Sequence, residues 1–312
     1  MRVLLTGVAG FLGSHLADLL LKMNYEVIGI DNFLTGSEVN LVVLSKYKNF
    51  KFKERDVTKK LDFNVDLIVN MACPASPVQY QKNPVGTAQI NFLGILNCLE
   101  LAKKLDIPIL QSSTSEVYGD PQESPQLENY WGHVNPIGVR SCYDEGKRVA
   151  ETLMFDYHRQ FGTKIKIARI FNTYGPRMNL DDGRVVSNFI KQAIRNEPIT
   201  IYGDGTQTRS FCYVSDMVTG IFKFLTADNS VTGPINLGNP VELNMIQLAE
   251  QVILLTKSKS KIIKLTLPQD DPKQRKPDIN LAKSTLRWEP TISIDQGLIM
   301  TIKDFQRRIG NM

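Results

Sequence analysis

A tyrosine and a lysine stand four residues apart in the motif Tyr143-Asp-Glu-Gly-Lys147. The apolar spacing of residues 144–161 predicts a helix, and an i, i+4 spacing places both side chains on one face. A phenol with a pKa of about 10 is a poor base at neutral pH, but a nearby ammonium group stabilises its deprotonated form. The pair therefore predicts a group that exchanges a proton with a hydroxyl. A chance pair on an exposed helix is the alternative.

A run of polar residues, Ser112-Ser-Thr114-Ser115-Glu116, follows a strand that the sequence predicts at 108–111. Side chains at the carboxyl end of a central parallel strand face the cleft where ligands bind. We therefore expect Thr114, Ser115 and Glu116 to lie in the same site as the tyrosine. A turn built by serine and threonine hydroxyls is the structural alternative.

Glycines recur in Gly7-Val-Ala-Gly10-Phe-Leu-Gly13, between a predicted strand and a predicted helix. Glycines permit a tight turn and a close approach to a pyrophosphate, and the helix N-terminus offers free N–H groups. Asp31 ends the second predicted strand, where an acid hydrogen-bonds ribose hydroxyls and repels a 2′-phosphate. No arginine follows at 32–36, so the pattern predicts NAD, with a turn or cap as the alternative role for Asp31.

Short apolar runs alternate with helical segments through the first half of the chain. The predicted strands lie at 2–6, 26–30, 66–70, 108–111 and 164–170, and the predicted helices at 11–23, 85–105 and 144–161. This alternation predicts an α/β fold, a doubly wound parallel sheet of the Rossmann type. A third strand is expected to end at Asp56-Val57, where the adenine amine could bind, although a plain turn is nearly as good an interpretation.

After residue 170 the elements become shorter and turn-forming clusters more frequent, one of them at 268–277. We therefore divide the chain into an NAD-binding domain at 1–170 and a smaller C-terminal substrate-binding lobe at 171–312. Residues 215–240 are a candidate to return to the first sheet.

Composition excludes several classes of protein. The 37 Lys and Arg against 32 Asp and Glu give a net charge of +5, and residues 251–276 alone carry that excess, which does not suit a nucleic-acid surface. The four cysteines and three histidines are too scattered for a disulfide framework, a zinc finger or another metal site. No uninterrupted apolar run approaches the length of a membrane span, and no signal peptide is apparent. We expect a cytoplasmic protein with no metal, membrane or nucleic-acid partner.

Longer motifs identify a family. The chain resembles the extended short-chain dehydrogenase/reductase superfamily over nearly its whole length and, within it, the UDP-glucuronate decarboxylases or UDP-xylose synthases. The motifs that carry the resemblance are Asp31-Asn-Phe-Leu-Thr-Gly36, Pro74-Ala-Ser-Pro77, Ser113-Thr-Ser-Glu-Val-Tyr-Gly-Asp-Pro121, Tyr130-Trp-Gly-His-Val-Asn-Pro-Ile-Gly138, Cys142-Tyr-Asp-Glu-Gly-Lys-Arg-Val-Ala-Glu151, Ala168-Arg-Ile-Phe-Asn-Thr-Tyr-Gly-Pro-Arg-Met178, Asp182-Gly-Arg-Val-Val-Ser-Asn-Phe-Ile190 and Gln274-Arg-Lys-Pro-Asp278.

The resemblance implies a reaction. Tyr143, assisted by Lys147 and Thr114, would take the proton of the sugar 4-hydroxyl during oxidation by NAD. The resulting 4-keto acid would lose CO₂, and reduction would give UDP-xylose. Ser115 and Glu116 would help to position and protonate the product carbon. Related 4,6-dehydratases carry Thr-Asp-Glu where this chain has Thr114-Ser115-Glu116, so the acid for water loss is missing, and 4-epimerases usually lack the glutamate. An epimerase, a dehydratase or a non-catalytic NAD-binding regulator remain the alternatives.

The resemblance also assigns ligand contacts. It places NAD against Gly7, Gly10, Phe11, Leu12, Gly13, Asp31, Asn32, Phe33, Thr35, Gly36, Asp56, Val57, Ala72, Tyr143 and Lys147. It places the sugar nucleotide against Asn172, Arg184, Tyr202, Arg209 and Arg275.

Charge and shape suggest what these substrate contacts do. Arginine pairs bidentately with phosphates, which makes Arg184 and Arg209 candidates for the diphosphate. Tyr202 could stack on the uracil or be a core tyrosine. For Arg275 the resemblance implies contact with the carboxylate end of the glucuronate, with an ion pair to Asp270 or Asp271 as the alternative.

The chain departs from its relatives at two positions, and the family suggests a dimer. Gln89 stands where relatives often have lysine, and Cys73 where they have serine. Relatives pair the helices at 85–105 and 144–161 in a symmetric four-helix bundle, so we expect a homodimer. The apolar residues that support this are Ile90, Leu93, Leu96, Leu99, Val149, Leu153 and Met154.

Overall fold

The alternating strands and helices assemble around one parallel sheet. The computed structural model describes residues 1–267 and 274–310. Within them, seven strands pair in the order β11-β6-β5-β4-β1-β2-β3, every pair parallel. The strands are β1 (Arg2–Thr6), β2 (Glu26–Asp31), β3 (Phe50–Glu54), β4 (Leu67–Asn70), β5 (Ile109–Thr114), β6 (Ile165–Ile170), β7 (Thr173–Tyr174), β8 (Ile199–Tyr202), β9 (Thr208–Ser210), β10 (Cys212–Tyr213), β11 (Ile235–Leu237), β12 (Glu242–Asn244), β13 (Ile262–Leu265) and β14 (Gln274–Arg275).

Helices cover both faces of this sheet. They are α1 (Phe11–Lys22), α2 (Glu38–Leu44), α3 (Pro77–Tyr80), α4 (Pro84–Gln89), α5 (Ile95–Leu105), α6 (Ser141–Phe161), α7 (Val185–Ile194), α8 (Val214–Thr226), α9 (Met245–Thr256), α10 (Asn280–Leu286) and α11 (Ile294–Gly310), with a π turn at Ile90–Gly94 and a 3₁₀ turn at Ser115–Tyr118. Side chains alternate across a strand, so Val3 and Leu5 join the core beneath α1 and α8, whereas Leu4 joins the core beneath α5 and α6. The doubly wound Rossmann fold that the sequence predicts is confirmed.

One strand boundary differs from its prediction in a way that matters for function. β5 continues to Thr114, in register with Ile170 of β6, rather than stopping at residue 111. Serine is not a strong strand former, but pairing with β6 keeps Ser112 and Ser113 extended, and the β-branched Thr114 suits the end of the strand. Thr114 is therefore the last residue of a central strand, and Glu116 lies in the 3₁₀ turn that follows.

Beyond residue 170 the described part of the chain forms three small sheets and also returns to the large one. β7 pairs with β10, β9 pairs with β12 and β14, and β8 pairs with β13. β11 pairs with β6 at the edge of the main sheet, within the segment that was a candidate to return. The division into residues 1–170 and 171–312 stays a prediction. The turn cluster expected at 268–277 lies outside the described residues over 268–273.

The continuous helix from Pro84 to Leu105 is long and apolar enough, by length and composition alone, to cross a membrane. The sequence predicted this helix at 85–105, but only uninterrupted apolar runs were compared with the length of a membrane span, so the helix was not recognised as one that could span. This helix is partly buried, and its residues Cys98 and Leu99 lie fully within the core beneath the sheet. Core helices of soluble proteins pass the same test, so the feature is weak support for a membrane span.

Candidate active site

The glycine turn between β1 and α1 could not form with larger residues. Gly7 has a φ of +70°, and a Cβ on it would lie 2.9 Å from backbone atoms of Met71 and Ala72. A Cβ on Gly13 would lie 2.0 Å from the Gly7 carbonyl oxygen. Gly10 is the N-cap of α1 and offers no side-chain cap to the first N–H groups of the helix. These groups are free to bind an anion, so the turn fits the pyrophosphate of a dinucleotide.

Asp31 lies at the end of β2, beside a small hollow next to the glycine turn. Its carboxylate accepts hydrogen bonds from the backbone N–H groups of Ala9 and Phe33, both at 2.9 Å, and burial raises its pKa. The hollow is also lined by other residues that the sequence assigned to the cofactor, namely Gly7, Gly10, Asn32, Thr35, Asp56, Val57 and Ala72. The structure therefore brings most of the expected adenosine contacts together.

Three details of this hollow differ from the expectation. Asp56 lies two residues beyond β3 and accepts two hydrogen bonds from Thr58 at 2.8 Å, so it forms a turn as well as lining the hollow. In the described part of the chain, Phe33 and Gly36 do not line this hollow. The Phe33 ring packs on the Phe52 ring instead, with centroids 5.4 Å apart. Arg55, which no local motif marks, lines the hollow from the end of β3.

Replacing Asp31 should change the choice of cofactor. We expect Asp31→Ala to reduce the preference for NAD over NADP by about tenfold or more, because it removes the charge that repels a 2′-phosphate and leaves Arg55 beside the hollow. Fluorescence titration of both dinucleotides measures the ratio of dissociation constants. Asp31→Asn is the matched control, since it keeps the size of the side chain and removes only its charge. Equal affinity of the wild type for the two cofactors would show that Asp31 does not select NAD.

The expected catalytic and substrate residues all line one cavity of about 900 Å³ that begins at the glycine turn. They are Thr114, Ser115, Glu116, Tyr143, Lys147, Asn172, Arg184, Tyr202, Arg209 and Arg275. Residues that are far apart in sequence thus converge on a single space, and this space is continuous with the cofactor turn.

Tyr143 and Lys147 lie on one face of α6, as their spacing predicts. The tyrosine is 5% exposed and hydrogen-bonds to the Thr114 side chain. The Lys147 ammonium donates to the Ser112 carbonyl oxygen at 2.9 Å and lies 5.8 Å from the centre of the tyrosine ring.

The net pKa shift of Tyr143 has the opposite sign to the one expected. Burial raises the pKa of this phenol above its usual value, whereas the Thr114 hydrogen bond acts to lower it. Burial also lowers the pKa of the Lys147 ammonium. Desolvation of the enclosed phenol therefore outweighs its hydrogen bond with Thr114 and the charge of Arg184.

Glu116 is enclosed by arginines. Arg140 donates to its Oε2 at 2.5 Å and Arg275 donates to the same oxygen at 3.2 Å. Burial alone would raise the pKa of Glu116, but Arg275 and Arg140 hold it at about 2. The carboxylate is therefore ionised near neutral pH. The two guanidiniums thus favour the ionised, hydrogen-bond-accepting form of Glu116, and its expected part in protonating the product carbon stays a prediction.

Arg275 is 1% exposed and reaches the cavity from β14. Its guanidinium donates to the Ser115 carbonyl oxygen at 2.9 Å as well as to Glu116. The alternative partners considered from the sequence, Asp270 and Asp271, lie outside the described residues. Contact with a substrate carboxylate stays a prediction for this arginine.

The diphosphate candidates sit in different surroundings. Arg184 forms a bidentate pair with Asp182, which the sequence analysis did not single out. Arg209 lies on β9 and donates to the Thr208 carbonyl oxygen at 2.9 Å. Tyr202 is exposed at the end of β8 rather than buried in the core, so its ring is available for stacking.

Sequence reasoning missed three residues at the Tyr143 end of the cavity. Tyr80 stacks its ring on the Tyr143 ring, and Arg140 pairs with Glu116. Asp144 follows Tyr143 in the sequence and also pairs with Arg140. Burial and the nearby Glu116 raise the pKa of Asp144 to about 8. Arg140 and Asp144 flank the tyrosine within one helical turn and could have been found from that spacing, but Tyr80 comes from a distant part of the sequence.

The two departures from the family pattern have different consequences. Cys73 lines the cavity, and burial raises the pKa of its thiol. Gln89 is exposed on α4 and is not among the cavity-lining residues of the described chain. A lysine at this position would therefore start from outside the described pocket. Among residues 1–267 and 274–310, no group of three potential ligands could hold a metal ion.

Comparison with known proteins places this geometry in a family. A model of the NAD dependent epimerase/dehydratase family matches residues 3–238. The chain belongs to this family. It is 58% identical to UDP-glucuronic acid decarboxylase 6 of Arabidopsis thaliana over 99% of this chain and 90% of that protein. It is 50% identical to UDP-glucuronic acid decarboxylase 1 of Xenopus tropicalis over 99% of this chain and 73% of that protein. The resemblance drawn from the sequence motifs is confirmed.

Solved structures of this family share the whole fold. UDP-glucose 4-epimerase of Thermotoga maritima, solved with UDP-glucose, has a TM-score of 0.90 and 27% identity, and covers 99% of this chain and 100% of that one. A tyrosine-to-phenylalanine mutant of UDP-glucuronic acid 4-epimerase from Bacillus cereus was solved with NAD and UDP-4-deoxy-4-fluoro-glucuronic acid. It has a TM-score of 0.91 and 29% identity, with the same coverage. The family and these neighbours establish NAD as the cofactor.

Proposed function

We propose that this protein is an NAD-dependent UDP-glucuronate decarboxylase that forms UDP-xylose through UDP-4-keto-glucuronate. The observation that carries the proposal is the corner of the cavity where Tyr143, Thr114 and Glu116 meet, with Ser115 where a dehydratase needs an acid. The decarboxylases among the relatives are 49–58% identical to this chain, whereas the epimerases among the solved neighbours are 25–29% identical.

The cofactor end of the cavity provides binding and orientation. The glycine turn and the N-terminus of α1 would hold the pyrophosphate, and Asp31 would hold the adenosine ribose. Bound NAD supplies the reversible oxidation of the sugar at C4. Lys147, which donates to the Ser112 carbonyl oxygen and lies 5.8 Å from the centre of the Tyr143 ring, would contact the bound cofactor.

Tyr143 is the group that removes the proton of the 4-hydroxyl. Because burial raises its pKa, the phenol is mainly protonated, and it must first release its own proton to solvent before its oxygen can accept the proton of the 4-hydroxyl. The Thr114 hydroxyl, hydrogen-bonded to the phenol, stabilises the charge that develops there. Proton transfer at this residue therefore limits how fast oxidation can proceed at low pH.

Loss of CO₂ needs no acid catalyst at position 115. Oxidation at C4 makes the sugar a β-keto acid, so the bond between C5 and the carboxyl carbon can break with its electron pair passing to the C4 oxygen. Arg140 and Arg275 together carry two positive charges against the single negative charge of Glu116. The excess positive charge suits first the carboxylate and then the enolate that replaces it.

One incubation separates the candidate activities. The protein is mixed with UDP-glucuronate and NAD, and CO₂, NADH and the nucleotide products are measured by mass spectrometry. A decarboxylase releases CO₂ and gives UDP-xylose, or UDP-4-keto-pentose with NADH if the product leaves early. An epimerase gives UDP-galacturonate without CO₂, and a regulator gives no product. Absence of CO₂ from folded, NAD-loaded protein would overturn the proposal.

The apolar surface of the helix from Pro84 to Leu105 supports our proposal of a homodimer. Val85, Phe92 and Leu93 are 68%, 42% and 36% exposed, whereas Leu99 and Met154, which the sequence also suggested for the interface, lie in the core of the same subunit. Those two residues therefore cannot form the dimer surface. A second copy that packs the same helix against this one would cover the exposed apolar residues.

We expect sedimentation at twice the mass of one chain at micromolar concentration. Phe92→Glu should shift the protein towards a monomer by placing a charge in the apolar contact. Leu254→Glu is the matched control, because Leu254 is an exposed apolar residue on α9, away from the proposed interface. A wild type that sediments as a monomer, or a Leu254→Glu variant that dissociates equally, would contradict this interface.

We also propose that the protein works in the cytoplasm. The four cysteines are all free, and two of them are buried, which suits a reducing compartment. Fractionation of cells that express the tagged full chain tests the location directly.

A further inference from the structure

Arg308 reaches the wall of the large cavity from the C-terminal helix α11. Its side chain is 23% exposed, and its Cζ lies 4.9 Å from the centre of the buried Phe305 ring. Its Nη2 lies 2.8 Å from Asp304 Oδ2, but neither Nη2 nor Nε makes a hydrogen bond within residues 1–267 and 274–310, and both atoms are buried. Leaving such donors unpaired is costly, so they are positioned to bind a ligand in the cavity.

A chain of contacts places Arg308 beside the start of α1. Arg177 donates from Nη1 to the Ser14 carbonyl oxygen of α1 at 3.0 Å, and its backbone N–H donates to Asp304 Oδ2 at 3.2 Å. Asp304 precedes Arg308 by one helical turn of α11. Arg308 lines the same cavity as the glycine turn. It therefore lies at the cofactor end of this cavity.

The glycine turn itself supplies no positive side chain. Residues 7–13 include no Lys, Arg or His, so this segment offers only backbone N–H groups to an anion. His15 follows in α1, but burial lowers its pKa to about 4, so its ring is neutral near pH 7. A pyrophosphate carries two negative charges, and a cation for it must come from another part of the chain.

Two arginines line the cavity near this turn, and only one has unused donors. Arg177 already directs Nη1 to a carbonyl oxygen of α1, and its Nη2 lies 3.5 Å from Asp18 Oδ2. Arg307 and Arg308 share the single negative charge of Asp304, which leaves one positive charge in excess. The guanidinium of Arg308 is thus the group that combines this excess charge with unpaired N–H groups in the cavity.

We propose that Arg308 is a cofactor-binding residue whose guanidinium pairs with the pyrophosphate of NAD from the side opposite the glycine turn. A guanidinium fork binds phosphate oxygens bidentately, and the Phe305 ring holds its plane in place. The C-terminal helix would then help to retain the cofactor. The diphosphate of the UDP-sugar has the same chemistry, and the test separates the two.

The test compares ligands with and without phosphate groups. NAD, ADP, adenosine and UDP are titrated calorimetrically into the cofactor-free wild type and the Arg308→Gln variant. We expect the dissociation constants for NAD and ADP to rise about tenfold, and those for adenosine and UDP to change less than twofold. High salt should reduce the difference between the two proteins, because it screens the charge pair. Unchanged affinity for NAD, or a loss for UDP at least as large as the loss for ADP, would overturn the proposal.

Arg307→Gln is the matched control. Arg307 pairs with the same carboxylate, at 3.1 Å from Asp304 Oδ1, but its side chain is 73% exposed and does not line the cavity of the described chain. Both variants lose an ion pair of α11, so either can lower the melting temperature of the ligand-free protein. Only Arg308→Gln should reduce the increase in melting temperature that saturating NAD produces. An equal loss of NAD affinity in Arg307→Gln would show that the contact is not specific to Arg308 and would reject it.

The titrations need no turnover, so the role of Arg308 and the proposed decarboxylase can fail separately. A wild type that releases no CO₂ rejects the decarboxylase, while the affinities for NAD and ADP still decide the contact. Release of CO₂ by the wild type, together with unchanged NAD affinity in Arg308→Gln, rejects the contact and leaves the decarboxylase intact. If both proposals hold, NADH leaves the variant more often before the keto sugar is reduced, and Arg308→Gln gives a larger fraction of UDP-4-keto-pentose than Arg307→Gln.

Discussion

Tyr143→Phe is expected to lower kcat for UDP-glucuronate by about 10²–10⁴-fold while the dissociation constant for UDP changes less than twofold. The substitution removes only the phenol oxygen that exchanges the proton of the 4-hydroxyl, and proton transfer by a positioned side chain contributes about this factor. The phenylalanine ring still stacks on Tyr80 and fills the same buried space. Single-turnover release of CO₂ and calorimetric binding of UDP measure the two effects separately.

The pH profile gives this prediction a second readout. Because burial raises the pKa of Tyr143, wild-type kcat should increase with pH through the neutral range, and the variant should lose that dependence. Tyr202→Phe is the matched control, since Tyr202 lines the same cavity and a phenylalanine there still stacks on a base. Near-normal turnover of Tyr143→Phe, or an equal loss in Tyr202→Phe, would remove Tyr143 from the mechanism.

Arg275→Ala is expected to lower turnover of UDP-glucuronate by about 10–100-fold and to weaken binding of UDP alone only slightly. A guanidinium hydrogen bond to a charged group contributes about 1.5–3 kcal/mol, and UDP has no carboxylate to lose such a bond. The structure adds a second consequence. Arg275 is one of the cations that neutralise the buried Glu116 carboxylate, so the variant should also have a lower free energy of unfolding, by about 3 kcal/mol.

Stability and catalysis can be separated with two further variants. Glu116→Gln removes the buried charge that Arg275 neutralises, so Glu116→Gln combined with Arg275→Ala should recover part of the lost stability without recovering turnover. Lys276→Ala is the neighbouring control, because Lys276 pairs with Glu242 at 3.1 Å and does not line the cavity of the described chain. If Arg275→Ala weakens UDP and UDP-glucuronate equally and spares turnover, Arg275 is a diphosphate contact and its assignment to the carboxylate is wrong.

Several elements could be predicted because their cause is local in sequence. The apolar spacing of α1 and α6 and the apolar runs of β1, β2 and β6 led to bounds within a few residues of those observed. The end of β5 could not be predicted in this way. Its polar residues Ser112, Ser113 and Thr114 are extended because they pair with β6, and that strand lies far along the chain, beyond α6.

Features that depend on the spacing of residues within one element follow from the sequence alone. The glycines at 7, 10 and 13 need no partner to make a turn that accepts a pyrophosphate, and a four-residue spacing on a helix puts Tyr143 and Lys147 on one face whatever surrounds them. The family motifs led from these features to the reaction. Neither the two local features nor the reaction had to be inferred from distances between atoms in the folded chain.

Only the tertiary structure decided the electrostatics of the site. Whether Tyr143 has a raised or lowered pKa depends on how completely neighbouring elements exclude water from it, and burial outweighs the opposing effects of the Thr114 hydrogen bond and the Arg184 charge. Glu116 is ionised because Arg140 from the start of α6 and Arg275 from β14 reach one oxygen across 24 and 159 residues of sequence. Desolvation and Coulomb interaction are set by distances in space, and those distances exist only once the chain has folded.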